Sequence, residues 1–304
     1  MKYEKSRWEI FFGVLLLFVL FFLYRLFTVY TVRSGECRPK AVDPSRRLAT
    51  RDENGVRVSY PERSSFPQQQ RPLTVMTYNI AGHDQLIHGD HIAQIAAAIN
   101  SEKPDIVTLQ EVHRKTWQSR YRDQLVELEA ATHMHGFFGK SYAQGNGQFG
   151  NAILTRGEIV STIVHPLPSI GEPRTIIESV IRIDGATINV YTTHLTTWDR
   201  INADSRREQL ECVANHVRTS ALPYILAGDF NAAPDAPEID AFRKVNAAQV
   251  CGGDLPETQP LMHKRIDYVF ADYGWEVRGA SVPQIGPSDH WPVVVQLMWD
   301  RKDR

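Results

Sequence analysis

Short apolar runs recur between residues 73 and 299, and most of them end on a side chain that can bind a metal, a proton or a phosphate. The runs fall at 73–80, 106–110, 151–155, 178–183, 187–195, 224–230, 265–270, 276–282 and 291–298. Each has the length and the Val, Ile and Leu content of a buried strand. Two intervening stretches follow a helical period instead. In 91–100, Ile92, Ile95, Ala96 and Ile99 share one face, with Asp90 at the N-cap position. In 204–219, Leu210, Val213, Ala214 and Val217 form one stripe. Many strands with few helices predict two packed sheets flanked by helices, an α/β layered architecture.

The strand ends carry the chemistry. Thr-Tyr-Asn-Ile supplies Asn79, Leu-Gln-Glu-Val supplies Glu111, and Thr-Thr-His-Leu supplies His194. Gly-Asp-Phe-Asn adds Asp229 and Asn231, Arg-Ile-Asp-Tyr adds Asp267, and Ser-Asp-His-Trp-Pro adds Asp289 and His290. Taken singly, each has a bland explanation. A strand-end Asp is usually a turn former, a lone His is usually a satisfied structural residue, and Asp229 with Asn231 reads as an Asx-turn pair. Recurrence changes the weighing, because strand ends on one side of a sheet converge in space. Glu111 and Asn79 are oxygen donors suited to a hard divalent cation such as Mg²⁺, with Mn²⁺ as the alternative. His194 and His290 offer imidazoles. Asp229 and Asp267 can orient an imidazole or accept a proton from water. Asn231 can hold a phosphoryl oxygen or the nucleophile. Such a set suits phosphoester hydrolysis.

In this order, Tyr-Asn-Ile, Gln-Glu-Val, Gly-Asn-Ala-Ile-Leu, Thr-His-Leu, Gly-Asp-Phe-Asn, Ile-Asp-Tyr-Val and Ser-Asp-His-Trp-Pro resemble the endonuclease/exonuclease/phosphatase superfamily, the DNase I-like fold. The resemblance spans the globular part, and it implies a four-layered α/β sandwich and a divalent-metal phosphodiesterase or phosphatase. It implies Glu111 as principal metal ligand with Asn79 beside it, and Asp289 as a second metal contact. It makes Asp229 the carboxylate that activates water, steadied by Asn231, and His290 the histidine on the scissile phosphate. Asp267 would hold a site histidine, and His194 would be a phosphate donor. Asn151 resembles the family's phosphate-contacting amide, and Arg174 matches a position where relatives often have Arg between two strands; it either faces the substrate phosphate or is a surface strand residue. One departure concerns Ala81, where branches that cut abasic DNA carry an acid; it weakens that specialised reading.

Other features have two readings. His83, Asp84, His88, Asp90 and His91 are either a second metal site or, preferred here, a solvated loop with a helix cap. Arg206 and Arg207 are either a polyanion-facing rim or a solvated helix face. Trp117, Phe137 and Phe138 are expected in the core.

Around this domain, taken as residues 72–300, the chain is different. Residues 10–32 are apolar apart from Arg25, long enough to cross a bilayer as a helix. The reading adopted is a membrane anchor within residues 1–32, with a cleaved signal peptide as its rival. Basic residues flank both sides, so the positive-inside count and the signal-anchor pattern conflict; an extracytoplasmic domain is favoured. Residues 33–71 carry prolines and no apolar period, which predicts a flexible linker. Cys37, Cys212 and Cys251 stand far apart, and their odd number argues against a disulfide framework. A net charge of -1 gives no general attraction to polyanions. The expected activity is membrane-tethered hydrolysis of a phosphodiester or phosphomonoester, in a nucleic acid or a phospholipid headgroup, without an obligate protein partner. The competing function is a non-catalytic interaction module on the same fold.

Overall fold

The computed structural model describes residues 33–37, 48–52, 55–59, 71–197, 203–246 and 248–299. The expected membrane segment lies outside these residues. No helix among the described residues is long and apolar enough to cross a membrane.

The strands are β1 (Arg33–Ser34), β2 (Leu48–Asp52), β3 (Gly55–Ser59), β4 (Leu73–Asn79), β5 (Ile106–Arg114), β6 (His135–Gln144), β7 (Gly147–Thr155) and β8 (Glu158–Leu167). They continue with β9 (Ser169–Ile170), β10 (Arg174–Ile183), β11 (Ala186–His194), β12 (Tyr224–Asp229), β13 (Ala248–Val250), β14 (Asp267–Asp272), β15 (Trp275–Ser281) and β16 (Val293–Trp299). The helices are α1 (His91–Glu102), α2 (Gln124–Thr132), α3 (Ala203–Arg218) and α4 (Pro237–Asn246). One six-stranded sheet has the order β15-β16-β4-β5-β7-β6, and the second has β13-β14-β12-β11-β10-β8. Within them β4 runs parallel to β5 and β11 parallel to β12; the remaining pairs are antiparallel.

Strand pleating sorts the side chains into layers, because successive residues point to opposite faces. On β4, Leu73 and Val75 enter the core between the sheets, while Met76 and Tyr78 pack with Ile92, Ile95 and Ile99 of α1. On β12, Ile225 and Ala227 face the inter-sheet core, and Leu226 faces α3 and α4. Helix, sheet, sheet, helix is the expected four-layered sandwich. Each buried Ile or Leu contributes roughly 1.5–3 kcal/mol of transfer free energy.

The same alternation places the site. Continuing along the inner face, Leu73 and Val75 are followed by Thr77 and Asn79. Ile225 and Ala227 are followed by Asp229, while β14 reaches Asp267 after Ala271 and Val269. The inter-sheet layer is apolar at one end and polar at the other.

Several expectations are corrected. β6 and β8 are edge strands with half-exposed patterns, so neither shows a clean apolar run. An edge also tolerates Pro166 in β8. Asp90 occupies the N-cap of α1 without capping it; its carboxylate accepts from Gln94 Nε2 at 2.7 Å. Trp117 is exposed, whereas Phe138 is buried and Phe137 packs against the inter-sheet core. Arg206 is neither rim nor solvated face: it is buried and paired with Glu238 at 2.7 Å, tying α3 to α4. Arg207 is exposed and pairs with Asp204.

The start of the expected linker is held on the domain. β1 pairs with β9, and Cys37 forms a disulfide with Cys212 of α3, with Cα atoms 5.6 Å apart. The odd cysteine is Cys251, which is buried. The bridge joins residues 175 apart in sequence, a long loop whose closure restricts the unfolded chain. Its removal is expected to cost roughly 2–4 kcal/mol. A Cys37→Ser variant should therefore melt several degrees below the wild type and be insensitive to dithiothreitol; equal melting temperatures would count against a formed bridge.

Candidate active site

Asn79 lies between two carboxylates. Its Nδ2 donates to Glu111 Oε1 and to Asp229 Oδ2, both at 3.1 Å, across a sequence separation of 150 residues in the second case. Its Oδ1 accepts the Ala81 amide at 3.1 Å. In this arrangement Asn79 bridges the two carboxylates through its Nδ2.

Glu111 is aimed by backbone geometry. The β5–β7 register shifts between Leu109 and Val112, and Glu111 inside this bulge has φ 59°. A left-handed Glu is strained, and such strain concentrates at functional sites. The bulge is braced by Gln124, whose Oε1 accepts the His113 amide at 2.7 Å and whose Nε2 donates to the Gly82 carbonyl at 2.6 Å. His83 Nδ1 approaches Glu111 Oε2 at 3.5 Å. Burial pushes the Glu111 carboxyl up, but His83 and the Asn79 amide outweigh it and hold the group well below the usual range. Glu111 is thus an anion at any physiological pH.

From the other sheet come His194, Asp229 and Asp267. Gly228 is required beside Asp229, because any Cβ there would collide with the Thr193 carbonyl of β11. Asp229 Oδ1 accepts the Asn231 amide at 2.9 Å, and Asn231 (φ 49°) donates its Nδ2 to the Leu195 carbonyl at 3.0 Å. Burial, reinforced by the neighbouring Asp267 charge, raises Asp229 to about 7 despite His290 and Asn79.

His290 completes the centre. Its Nδ1 lies 2.8 Å from Asp267 Oδ2, which also accepts the Thr258 hydroxyl at 2.6 Å. Its Nε2 lies 3.9 Å from Asp229 Oδ2. Burial disfavours the imidazolium, yet Asp267 and Asp229 together raise it to about 10. Ser288 seats the segment by donating to the Asn79 carbonyl at 2.7 Å.

His194 behaves oppositely. It is buried 3.5 Å from Asp229 Oδ2, and neither ring nitrogen has a hydrogen-bond partner. Burial and the nearby Arg174 guanidinium drive its pKa well below the ordinary value, so it is neutral. Arg174 is itself buried, pairs with Glu172 at 3.2 Å and leaves its Nε without a partner. Asn151 is buried with only a 3.5 Å bond to the Thr175 carbonyl. Asp267 Oδ1 is likewise buried and unpartnered. Buried polar atoms normally find partners; here the His194 nitrogens and an Asp267 oxygen lie orphaned at the polar end of the inner layer, with the Arg174 side chain near His194.

Asp289 stands apart. It is exposed, and its carboxylate accepts from Gln259 at 3.3 Å; its charge helps raise His290 and His83. Of the loop cluster, His83 joins the site, while His91 is buried and bonded to the Ile80 carbonyl at 2.7 Å. The sequence reading did not select Gln110. It accepts from Thr77 at 3.4 Å and donates to Thr192 at 3.1 Å, so it spans the two sheets beneath the site. Its place beside Glu111 is the only sequence clue. Thr258, which holds Asp267, leaves none.

A family model described as Endonuclease/Exonuclease/phosphatase family matches residues 76–290, from β4 to His290. The chain belongs to the endonuclease/exonuclease/phosphatase family. It is a hydrolase of that family with the DNase I-like fold. No curated protein matches it significantly in sequence. Among solved structures it is similar to an endonuclease/exonuclease/phosphatase from Beutenbergia cavernae at 25% identity, over 76% of this chain and 72% of that one, with a TM-score of 0.63. It is similar to mannosyl-6-phosphatase Bt3783 of Bacteroides thetaiotaomicron at 22% identity, over 75% and 100% of the chains, TM-score 0.59. It is also similar to D. rerio TDP2 complexed with a single-strand DNA product, at 17% identity over 75% and 99%, TM-score 0.63. The last two likenesses concern the fold alone.

The residues fit the divalent cation that this family uses. An ionised Glu111 and Asp229 stand on either side of Asn79 and offer carboxylate oxygens. Asp229, Asp267 and His290 each bring a ligand atom within 4.8 Å of the others.

Proposed function

We propose that this protein is a Mg²⁺-dependent phosphoesterase that places one phosphoryl group between Glu111 and the His194–Asp229–His290 cluster. One observation carries the reading. A neutral His194 whose ring nitrogens make no hydrogen bond and a cationic His290 both face Asp229, and Arg174, with its Nε unpartnered, lies near His194. Donors and a positive charge beside a carboxylate base match a phosphoryl oxyanion attacked by water.

In this mechanism Asp229 accepts the proton of the attacking water. The new O–P bond forms as the ester O–P bond breaks. His290, kept charged by Asp267, stabilises the charge that builds on a phosphoryl oxygen. Arg174 and His194 donate to the remaining oxygens, and Asn151 lies within the same polar end. A bound Mg²⁺, held chiefly by Glu111, supplies Lewis-acid charge; Mn²⁺ suits the same oxygen donors.

The substrate class is read from the rim. Arg120 donates to the Leu86 carbonyl at 3.0 Å and ties the loop of Trp117 and Tyr121 to that of Ile87. All three of those side chains are exposed; Ile87 follows His83 by four residues, and the two joined loops are taken as the rim. An apolar rim and an apolar segment at residues 10–32 support a phospholipid headgroup; a net charge of -1 gives no bulk attraction to nucleic acid. The test is a substrate panel with the full-length protein: sphingomyelin and phosphoinositide vesicles, plasmid DNA, RNA and bis-p-nitrophenyl phosphate, each with Mg²⁺ and with EDTA. Turnover of a lipid, abolished by EDTA, is expected. Turnover of nucleic acid alone would overturn the substrate reading, and no metal-dependent turnover at all would favour the non-catalytic module.

We further infer a membrane-tethered protein whose domain lies on the extracytoplasmic side. The Cys37–Cys212 bridge supports this, since disulfides persist in oxidising compartments.

A further inference from the structure

The outer face of the second sheet carries a second polar cluster, beside the apolar core packed against α3. His165 on β8 is paired with Ile176, and Glu178 lies two residues further along β10, so both point to the same face. Their side chains meet at 2.9 Å, from His165 Nε2 to Glu178 Oε2. His216 of α3, one helical turn after Cys212, lies over them, its ring centroid 4.1 Å from that of His165. One ligand atom from each of the three lies within 4.8 Å of the others. The His165 and Glu178 side chains are only 15% and 12% exposed, and His216 is buried.

The surroundings make this costly. Ile176, Tyr191, Leu210, Val213 and Val217 form the core between this face and α3. Placing two imidazoles and a carboxylate there incurs desolvation that simple packing would avoid. The carboxylate is also oriented from behind. Tyr191, opposite Glu178 in register, donates its hydroxyl to Glu178 Oε1 at 3.4 Å. Asn189 Nδ2 supports that hydroxyl at 3.3 Å. Such outer partners typically fix a metal-ligating carboxylate. Two imidazoles and a carboxylate form a three-ligand Zn²⁺ set, with a water as the fourth ligand. The sheet separates this cluster from the active site, because Ile177 between Ile176 and Glu178 faces the inter-sheet core.

We propose that His165, Glu178 and His216 bind one Zn²⁺ ion, cross-linking α3 to β8 and β10 independently of the catalytic carboxylates. The test is calorimetric titration of the full-length protein with Zn²⁺ in excess Mg²⁺, alongside thermal melts. Wild type and Glu111→Gln should each take up about one equivalent at this site. Their melting temperatures should rise by roughly 5–10 °C at a hundredfold excess over Kd. His165→Gln and Glu178→Gln should each bind at least about tenfold more weakly and lose most of the rise. His165 lies on an edge strand, so its replacement keeps the test valid should Glu178→Gln fail to fold. Co²⁺ in place of Zn²⁺ should give an intense visible spectrum in wild type that is lost in His165→Gln. Absence of Zn²⁺ uptake by wild type, or unchanged uptake in His165→Gln, would overturn the proposal.

Discussion

A Glu111→Gln enzyme is expected to lose about 10³-fold in kcat/KM, or about 4 kcal/mol of transition-state stabilisation, on any substrate the wild type hydrolyses. The substitution keeps the size of the side chain and an oxygen that can accept from Asn79 and His83, but removes the charge that attracts a divalent cation. The loss should therefore shrink as Mg²⁺ is raised, while the far-ultraviolet spectrum stays unchanged. Glu111 also sits at φ 59°, where glycine is unstrained. Glu111→Gly should be equally inactive yet at least as stable as the glutamine variant, because strain at such positions costs on the order of 1 kcal/mol or more. Full turnover by Glu111→Gln at wild-type Mg²⁺ would remove Glu111 from the site.

Asp229→Asn is the second large effect. Loss of a general base costs about 10²- to 10⁴-fold. The pH profile separates this role from a purely structural one. Burial beside Asp267 raises Asp229 to about 7, and a base works only when ionised. Wild-type kcat/KM should therefore climb as pH rises through about 7. The residual rate of Asp229→Asn should lack that limb. A wild-type rate that stays level across this range, or an identical rise in Asp229→Asn, would exclude Asp229 as the proton acceptor.

The polar strand ends were readable in the sequence because pleating is strictly alternating. Once Leu73, Val75, Ile225 and Ala227 are assigned inward, Asn79 and Asp229 must follow them. Local pattern carries less information where partners are remote or edges are half-exposed. β6 and β8 show mixed exposure. Cys37 and Cys212 are 175 residues apart, so nothing nearby announces their pairing. Gln110, Thr192 and Thr258 are ordinary strand or loop residues until the second sheet or His290 is set against them. The bridging role of Asn79 depends on which amide atom faces the carboxylates, and sequence says nothing about that.

Were the apolar segment before Arg33 embedded in a bilayer, as proposed above, the bridge at Cys37 would limit how far the domain could stand from it. A free tether over residues 33–71 could extend roughly 130 Å at 3.3–3.6 Å per residue. With Arg33 and Ser34 paired to β9 and Cys37 bonded to α3, such a segment would join the domain through a docked stretch rather than a free tether. The domain would then stay close to the surface and explore a thin two-dimensional shell.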